Sequence, residues 1–151
     1  MGRWSCFITR RMQQEIKTTP WQDAGRGLLS ATMVGAGIGH FTFARVPFQA
    51  QVPDWVPLGK DTVVLLSGAV EIGLGLSLLL AKRQRQTMGL GLAAFFGMVF
   101  PGNVHQYTHH LDAFGLNSDT KRLARLFFQP VLMGWALWST GAGQALRQRL
   151  R

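Results

Sequence analysis

Four stretches of the chain are almost free of charge, and short basic clusters separate them. No charged side chain occurs in residues 27–44, 86–111 and 126–146, and Glu71 is the one charged residue in 62–80. A helix rises about 1.5 Å per residue, so about 20 residues cross the roughly 30 Å hydrocarbon core of a bilayer. The pattern therefore predicts four membrane-spanning helices, at about 27–44, 62–80, 88–106 and 125–144.

The basic residues punctuate these apolar stretches. Lys and Arg total 16 against 7 Asp and Glu, and most of the bases fall before the first span, in the 81–87 loop and after the fourth span. A nucleic-acid-binding domain would instead spread its bases over one folded face, so no nucleic acid is expected as a partner. By the positive-inside rule, both termini and the 81–87 loop are predicted to be cytoplasmic. The loops at 45–61 and 107–124 are then predicted to face outward.

The predicted fold class is an all-α integral membrane protein, a four-helix transmembrane bundle. Its parts are a basic tail at 1–24, a four-span membrane domain at 25–145 and a basic tail at 146–151. Small residues recur every four positions in three spans, which favours close approach of the helix backbones. They are Ala31, Gly35 and Gly39, then Ser67 and Gly75 on either side of Glu71, then Gly89, Ala93 and Gly97. Cys6 is the single cysteine, which excludes an internal disulfide and a dithiol redox centre.

Polar residues converge near the outer ends of these spans. Glu71 lies close to mid-bilayer, where an unsatisfied acid costs ~3 kcal/mol or more, and its side chain leans outward toward His40. Asn103 is near the outer end of the third span, and Arg125 and Gln129 are one turn apart at the start of the fourth. We expect a polar layer in which Glu71, His40, Asn103 and Gln129 form a chain with Arg125 above them.

The polar layer has two interpretations. It is either a pocket that binds the head group of a small or amphipathic ligand and relays protons, or a hydrogen-bond network that only fixes helix packing. Arg125 has the further alternative of snorkelling to the membrane interface. The functional interpretation is favoured for Glu71, and it predicts that Glu71→Gln leaves the protein folded but impairs activity.

The two outer loops add candidate residues. The proline-rich loop at 45–61 carries Trp55 and is predicted to cap the polar layer, with a plain interfacial anchor as the alternative. The other loop region contains His105 and His109 at a spacing of four residues, followed by His110. Two histidines one helical turn apart can ligate zinc, but the sequence supplies no convincing third and fourth ligands, so no metal site is predicted.

Four segments together resemble the DoxX-like family of small bacterial membrane proteins. The resemblance is an ordered set that runs through all four predicted spans: a histidine ending the first span, a proline-rich loop, a mid-span glutamate, Pro-x-Asn and Arg-x3-Gln. The segments that carry it are GAGIGHFTFARVPFQAQVPDWVP at 35–57, LSGAVEIGLGLSLLL at 66–80, FPGNVHQ at 100–106 and RLARLFFQPVLMGWALW at 122–138.

The resemblance implies a multi-pass protein of the bacterial inner membrane. DoxX-like proteins have been associated with quinone-linked redox systems, including a thiosulfate:quinone oxidoreductase and a membrane oxidoreductase complex that protects against oxidative and thiol stress. The residues that match the family's recurring polar positions are His40, Glu71, Asn103, Arg125 and Gln129. Because the sequence has no flavin or haem motif and no cysteine pair, the chain is not expected to carry electrons on its own side chains.

The leading expectation is a membrane subunit that binds a quinone or lipid-like molecule non-covalently, with Glu71 and His40 exchanging protons. Asn103, Arg125, Gln129 and Trp55 are the expected ligand-binding residues. Membrane lipid and a soluble or membrane redox protein are the expected partners, and self-association stays open. One alternative is a non-catalytic assembly or anchoring subunit, and another is a small transporter or lipid-modifying membrane enzyme. Whether the chain is an enzyme is left open.

Overall fold

The structure is a computed structural model that describes residues 17–150, so Cys6 and most of the predicted N-terminal tail lie outside the described residues. Within that range the regular structure is helical throughout, with no strand, which confirms the predicted all-α class. The helices are α1 (Pro20–Phe41), α2 (Arg45–Gln49), α3 (Lys60–Leu80), α4 (Arg85–Thr108), α5 (Asp119–Ser139) and α6 (Ala142–Arg149), with a 3₁₀ turn at Lys82–Gln84 before α4.

Two of these segments are long and apolar enough to cross a membrane. They are α3, over Lys60–Leu80, and the continuous helical run Lys82–Thr108 that contains α4. The helices α1 and α5 are of similar length, 22 and 21 residues. Their polar residues and glycines lower their hydropathy, so length and composition do not by themselves mark them as spans.

Local sequence signals explain where the first long helix begins and where the fourth long helix ends. Thr19 and Gln22 form a reciprocal capping box around Pro20, so α1 starts seven residues before the predicted span. The fourth predicted span, 125–144, is interrupted at Gly141, whose φ of 72° is a left-handed conformation that glycine adopts without steric cost. The chain therefore turns there and continues as the short helix α6.

The four long helices pack mainly as two pairs, α1 with α3 and α4 with α5. The first pair approaches closely at Gly37 and Gly68, where a Cβ on Gly37 would lie 2.7 Å from the carbonyl oxygen of Gly68. Further along the same contact, Ser30 donates a 2.6 Å hydrogen bond from Oγ to the carbonyl oxygen of Gly75. Absence of side chains at these glycines thus sets the distance between the two helices.

The predicted small-residue stripe of the first span is partly wrong. Ala31 is exposed and Gly35 has open space where a side chain would point, so both face away from α3. The buried face of α1 instead carries Ser30, Met33 and Gly37. The four-residue spacing was recognised but was placed on the wrong helical face, because glycines occur on both faces of this helix.

The bundle has two halves of different character. In the half that holds the first turns of α1, which we call the closed half, apolar side chains fill the interior; its core includes Leu78, Leu92, Ala93 and Ala136. In the other half, which we call the open half, the two helix pairs leave a cavity between them. The short helix α2 and the loops that flank it lie against this open half.

Candidate functional site

The cavity of the open half has a volume of about 190 Å³ and is lined by all four long helices. Its polar lining residues include Glu71, His40, Asn103, Arg125 and Gln129, which are the residues that the sequence predicted to converge. Its apolar walls include Met33, Phe95, Phe96, Val99 and Leu132. Helix α2 contributes Phe48.

His40 and Glu71 face each other across the contact between α1 and α3. The Nε2 atom of His40 lies 3.3 Å from Oε1 of Glu71, and the two side chains are only 4% and 11% exposed. Ser67, one turn before Glu71, donates a 3.2 Å hydrogen bond from its hydroxyl to the same oxygen. Gly68 makes the arrangement sterically feasible, because a Cβ there would lie 2.6 Å from Cβ of His40.

The second ring nitrogen of His40 fixes the tautomer of the neutral imidazole. Nδ1 lies 2.9 Å from the carbonyl oxygen of Val64, which can only accept, so Nδ1 carries a proton. In the neutral ring Nε2 is then an acceptor, and it faces Oε1 of Glu71 at 3.3 Å. The pair is therefore suited to take up a proton, either at Nε2 or at the carboxyl group.

Two atoms of this pair are available to a bound molecule. Oε2 of Glu71 is buried and has no hydrogen-bond partner among residues 17–150, and Nε2 of His40 is close to Oε1 but not aligned for a hydrogen bond. A buried polar atom without a partner costs free energy, so it is expected to be satisfied by water or by a ligand. Because Glu71 lines the cavity, that partner would lie there.

The opposite wall carries a hydrogen-bond chain with a fixed direction. Arg125 donates from Nε to Oδ1 of Asn103 over 3.1 Å, and Nδ2 of Asn103 donates to Oε1 of Gln129 over 2.9 Å. Nε2 of Gln129 ends the chain at the carbonyl oxygen of Phe96, 2.7 Å away. The amide orientations of Asn103 and Gln129 are thus both determined by the guanidinium group at one end and the backbone oxygen at the other.

The single polar chain predicted from the sequence is divided in two. Among residues 17–150 no hydrogen bond or ion pair joins the pair His40–Glu71 to the chain Arg125–Asn103–Gln129; the two groups face each other across the cavity. The reason is the pairwise packing of the bundle, since α1 and α3 form one wall and α4 and α5 the other. A ligand in the cavity would contact both groups.

Two aromatic residues that the sequence did not suggest cover the polar groups. Phe48 stacks on the imidazole of His40 with ring centroids 3.6 Å apart, and Phe114 meets Phe48 edge-on at 4.6 Å. The guanidinium carbon of Arg125 lies 5.2 Å from the centre of the Phe114 ring, within cation–π range. Phe114 has a φ of 57°, which is rare for a bulky residue and costs roughly 1–2 kcal/mol. Its surroundings hold it in that strained position over the site.

Trp55 does not line this cavity. It lines a second cavity of about 160 Å³, which lies between α3 and α4 under the proline-rich loop. The two cavities share five lining residues: His40, Phe48, Gln51, Ser67 and Val99. The predicted capping loop therefore lies beside the polar groups, with Trp55 at its exposed edge.

The charges of the capping loop are satisfied in pairs. Arg45 donates from Nε to Asp61 over 2.7 Å, and the hydrogen bond with this carboxylate raises the pKa of Arg45. Lys60 lies 2.7 Å from Asp54, and its hydrogen bond lowers the pKa of Asp54. Both bonds attach the loop to the first turn of α3. These two pairs include all four charged residues of the loop at 45–61, which has no net charge.

Three further buried polar residues lay outside the spans drawn from the sequence. Gln22 donates to the carbonyl oxygen of Trp138, and Arg26 donates to that of Leu78, 2.8 Å from its Nη1. Arg122 is 6% exposed, with Asp112, Asp119 and two backbone carbonyls of the 109–118 loop around its guanidinium group. A wider margin at the span ends would have included all three.

The three histidines of the cluster are directed to different partners. Within residues 17–150 no group of three or more histidine, cysteine or acidic side chains is placed to hold a metal ion. His105 and His109 lie ring to ring at 4.1 Å, whereas Nδ1 of His110 is 2.8 Å from Asp119. His110 is thereby directed toward the start of α5 and away from the other two rings.

Comparison with known proteins places the chain in a family. Residues 29–140 match the model of a family described as a domain of unknown function, DUF8561. The chain belongs to this family. The matched DUF8561 region contains both walls of the polar cavity and both aromatic covering residues. No curated protein and no solved structure matches the chain.

The geometry defines what this DUF8561 site can do chemically. One wall presents an imidazole and a carboxyl group 3.3 Å apart, and the other presents a guanidinium group whose orientation is fixed by Asn103. Between them lie apolar and aromatic side chains. Such a site can bind a mostly apolar molecule by oxygen atoms at two points and can exchange a proton with one of them.

Proposed function

We propose that this chain is a four-span protein of the bacterial inner membrane, with both termini in the cytoplasm. The pattern of burial supports a membrane environment, because many exposed side chains are large and apolar whereas several buried side chains are polar or charged. On α5, for example, Phe127 is 69% exposed while Arg122 and Gln129 are buried. In water this arrangement would expose an apolar face and desolvate polar groups, whereas in a bilayer both features are favourable.

The same inversion extends the span assignment to the two helices with lower hydropathy. On α1, Leu28 and Ile38 are exposed whereas Ser30 and His40 are buried. Both helices pack against the more apolar α3 and α4 and are of matching length. The basic residues before α1, between α3 and α4, and in α6 then lie on one side, which the positive-inside rule assigns to the cytoplasm.

The bound molecule that fits this site best is a quinone or a similar lipid-soluble compound with oxygen functions. The observation that carries the proposal is the pair of His40 and Glu71 beside the cavity, in which one oxygen of Glu71 has no hydrogen-bond partner among residues 17–150. Arg125 can donate to a second oxygen of the same molecule. The aromatic and aliphatic walls suit a flat, uncharged ring. These features agree with the resemblance to DoxX-like proteins and with their association with quinone-linked redox systems.

In this role the chain binds and protonates, and a partner protein supplies the electrons. Reduction of a quinone to a quinol takes up two electrons and two protons, and the pair of His40 and Glu71 can pass one proton at a time to a quinone oxygen and regain the next from water. The electrons would come from a redox centre in a soluble or membrane partner. The chain is accordingly proposed as the quinone-binding subunit of a redox or stress-protection system.

The test is native mass spectrometry of the full chain extracted mildly from its own membranes. The unsubstituted protein is compared with Glu71→Gln, and Ser30→Ala serves as the control because Ser30 is buried and polar but lies outside the cavity lining. A quinone retained by the unsubstituted protein and by Ser30→Ala, and lost in Glu71→Gln, is expected. A ligand-free protein in all three samples, particularly one bound to a soluble partner, would contradict the proposal and favour an assembly subunit.

A further inference from the structure

The second cavity differs from the polar cavity in its chemistry. Apart from the residues that it shares with the polar cavity, it is lined by aliphatic and aromatic side chains, prolines and a glycine: Val52, Pro53, Trp55, Val56, Val63, Val64, Met98, Pro101 and Gly102. None of these side chains carries a charge, and the indole N–H of Trp55 is their one polar hydrogen. The environment suits a hydrocarbon.

The two cavities adjoin at the polar pair itself. His40, Phe48 and Ser67 belong to both linings, so a molecule that contacts His40 from the polar cavity lies next to the apolar one. The boundary on the other side is Gln51, whose carbonyl oxygen is so close to α4 that a Cβ on Gly102 would lie 2.4 Å from it. The glycine therefore allows the loop to cover the apolar cavity closely.

The apolar cavity also reaches the surface that faces lipid in a four-span arrangement. Met98 on α4 and Trp55 on the capping loop are each 74% exposed while they line the cavity. The cavity opens between α3 and α4, which contact each other much less than the helices within either pair. An opening at this place leads sideways, between two helices that are long and apolar enough to span a membrane.

We infer that the apolar cavity is a binding subsite for the hydrocarbon tail of the ligand whose polar head lies between Glu71 and Arg125. This inference rests on the proposed function and specifies its ligand as a tailed, amphipathic molecule that enters sideways from the bilayer. Size supports it: the polar cavity is about 190 Å³, smaller than the roughly 300–1,000 Å³ of pockets that enclose a whole ligand. A head group fills the polar cavity, and the tail passes His40 and Phe48 and leaves between Trp55 and Met98.

The inference is tested by filling the apolar cavity without touching the polar one. Val63 lines only the apolar cavity, so Val63→Trp reduces its volume. Val70→Trp is the matched control, because Val70 lies two turns further along α3, is exposed and lines neither cavity. Binding of two ligands to the detergent-solubilised full chain is measured by equilibrium dialysis: a dimethoxy-methyl-benzoquinone without a tail, and the same ring with a decyl tail.

The expected result is selective. Val63→Trp lowers the affinity for the decyl ligand by about tenfold or more, which is the affinity that about two buried methylene groups contribute. It leaves the affinity for the tail-less ligand within about twofold of the unsubstituted protein. Val70→Trp changes neither. Equal effects of Val63→Trp on both ligands, or no effect on either, would overturn the tail subsite while the quinone site stands. If the unsubstituted protein bound neither ligand, the proposed function would fail and this inference with it.

Discussion

The closed and open halves of the bundle bury polar side chains in different ways. In the closed half, Gln22, Arg26 and Ser30 donate to backbone carbonyls of neighbouring helices, and apolar side chains fill the space around them. In the open half, titratable side chains contact each other beside a cavity, and Glu71 keeps an oxygen without a partner. The Nε atom of Arg26 is also unpartnered, but arginine keeps its proton in proteins.

The difference separates two roles of buried polar groups in one helical bundle. The amide, guanidinium and hydroxyl groups that bond to backbone carbonyls in the closed half fix the packing of two helices and do not titrate near neutral pH. A carboxyl group next to an imidazole and to unfilled space can change both its protonation and its partner. Burial of a polar residue alone therefore does not indicate a site in this protein; a titratable pair beside a cavity does.

The largest expected effect contrasts the same truncation in the two halves. Leu78→Ala in the closed half removes a fully buried side chain from the core and should lower the free energy of unfolding by about 2–5 kcal/mol. Leu132→Ala in the cavity wall removes a half-buried side chain and should cost less, about 1–2 kcal/mol, while weakening quinone binding. Denaturant titration in mild detergent measures both. Equal losses of stability would contradict the distinction between a filled half and an open one.

A smaller effect comes from adding a methyl group at matched glycines of α4. A Cβ on Gly89 would lie 1.9 Å from Oγ1 of buried Thr140, whereas the nearest atom to a Cβ on Gly97 is the flexible end of Met133, 3.8 Å away. Gly89→Ala should therefore destabilise by about 1–3 kcal/mol. Gly97→Ala should be neutral, or stabilising by up to about 1 kcal/mol through helix propensity.

Gly91→Ala is the control for this pair of variants, because open space surrounds that position on the same helix. It should behave like Gly97→Ala in the same thermal unfolding measurement. A stable Gly89→Ala protein would show that the closed half is packed less tightly than the distances around Thr140 indicate.

Two polar substitutions should separate stability from binding. Ser30→Ala removes the 2.6 Å bond to Gly75 and should cost about 1 kcal/mol with no change in quinone binding. Glu71→Gln keeps the shape and lets Ser67 still donate to the amide oxygen, so stability should change by less than about 1 kcal/mol. It removes the carboxyl group that can take up a proton beside His40, and quinone binding should be lost. Parallel unfolding and binding measurements decide the matter, and a large loss of stability in Glu71→Gln would assign Glu71 to packing.

Much of the fold, and the polar residues of the site, were predictable from the sequence. Uncharged stretches located the four long helices, and polar residues at matching depths predicted which side chains meet at the site. Helix ends were less accurate, because the Thr19–Gln22 capping box and the bond from Arg26 to Leu78 extend α1 by polar contacts that a hydropathy pattern does not register. Two of the three residues in the predicted small-residue stripe of α1, Ala31 and Gly35, face away from α3. A four-residue spacing gives the period of a helical face but does not say which face contacts the neighbouring helix.

The loop at 45–61 was predicted to cap the polar layer, but the side chains that cover the polar groups were not identified. Phe48 and Phe114 cover the polar groups because a short helix and a strained turn carry them there, and neither path follows from residue periodicity. The division of the polar residues into two walls was also not expected. It depends on which helices pair, and the sequence pattern is the same for either pairing.

The smallest expected effect concerns the loop that covers the open half. Lys60 lowers the pKa of Asp54, so at any pH above the ordinary pKa of an aspartate Asp54 is ionised and its ion pair with Lys60 holds the loop in place. As the pH falls through the lowered pKa, Asp54 is protonated and the pair is lost. Acidification should therefore lower the protection of the amides around Trp55 against hydrogen exchange, measured relative to the intrinsic exchange rate at each pH because intrinsic exchange itself slows in acid. The effect should be modest, and smaller in high salt, because the pair is exposed. Asp54→Asn should show the lower protection already at neutral pH. Since this variant leaves Arg45 and Asp61 intact, slow exchange in it at neutral pH, followed by acid-induced loosening, would assign the restraint to that second pair instead.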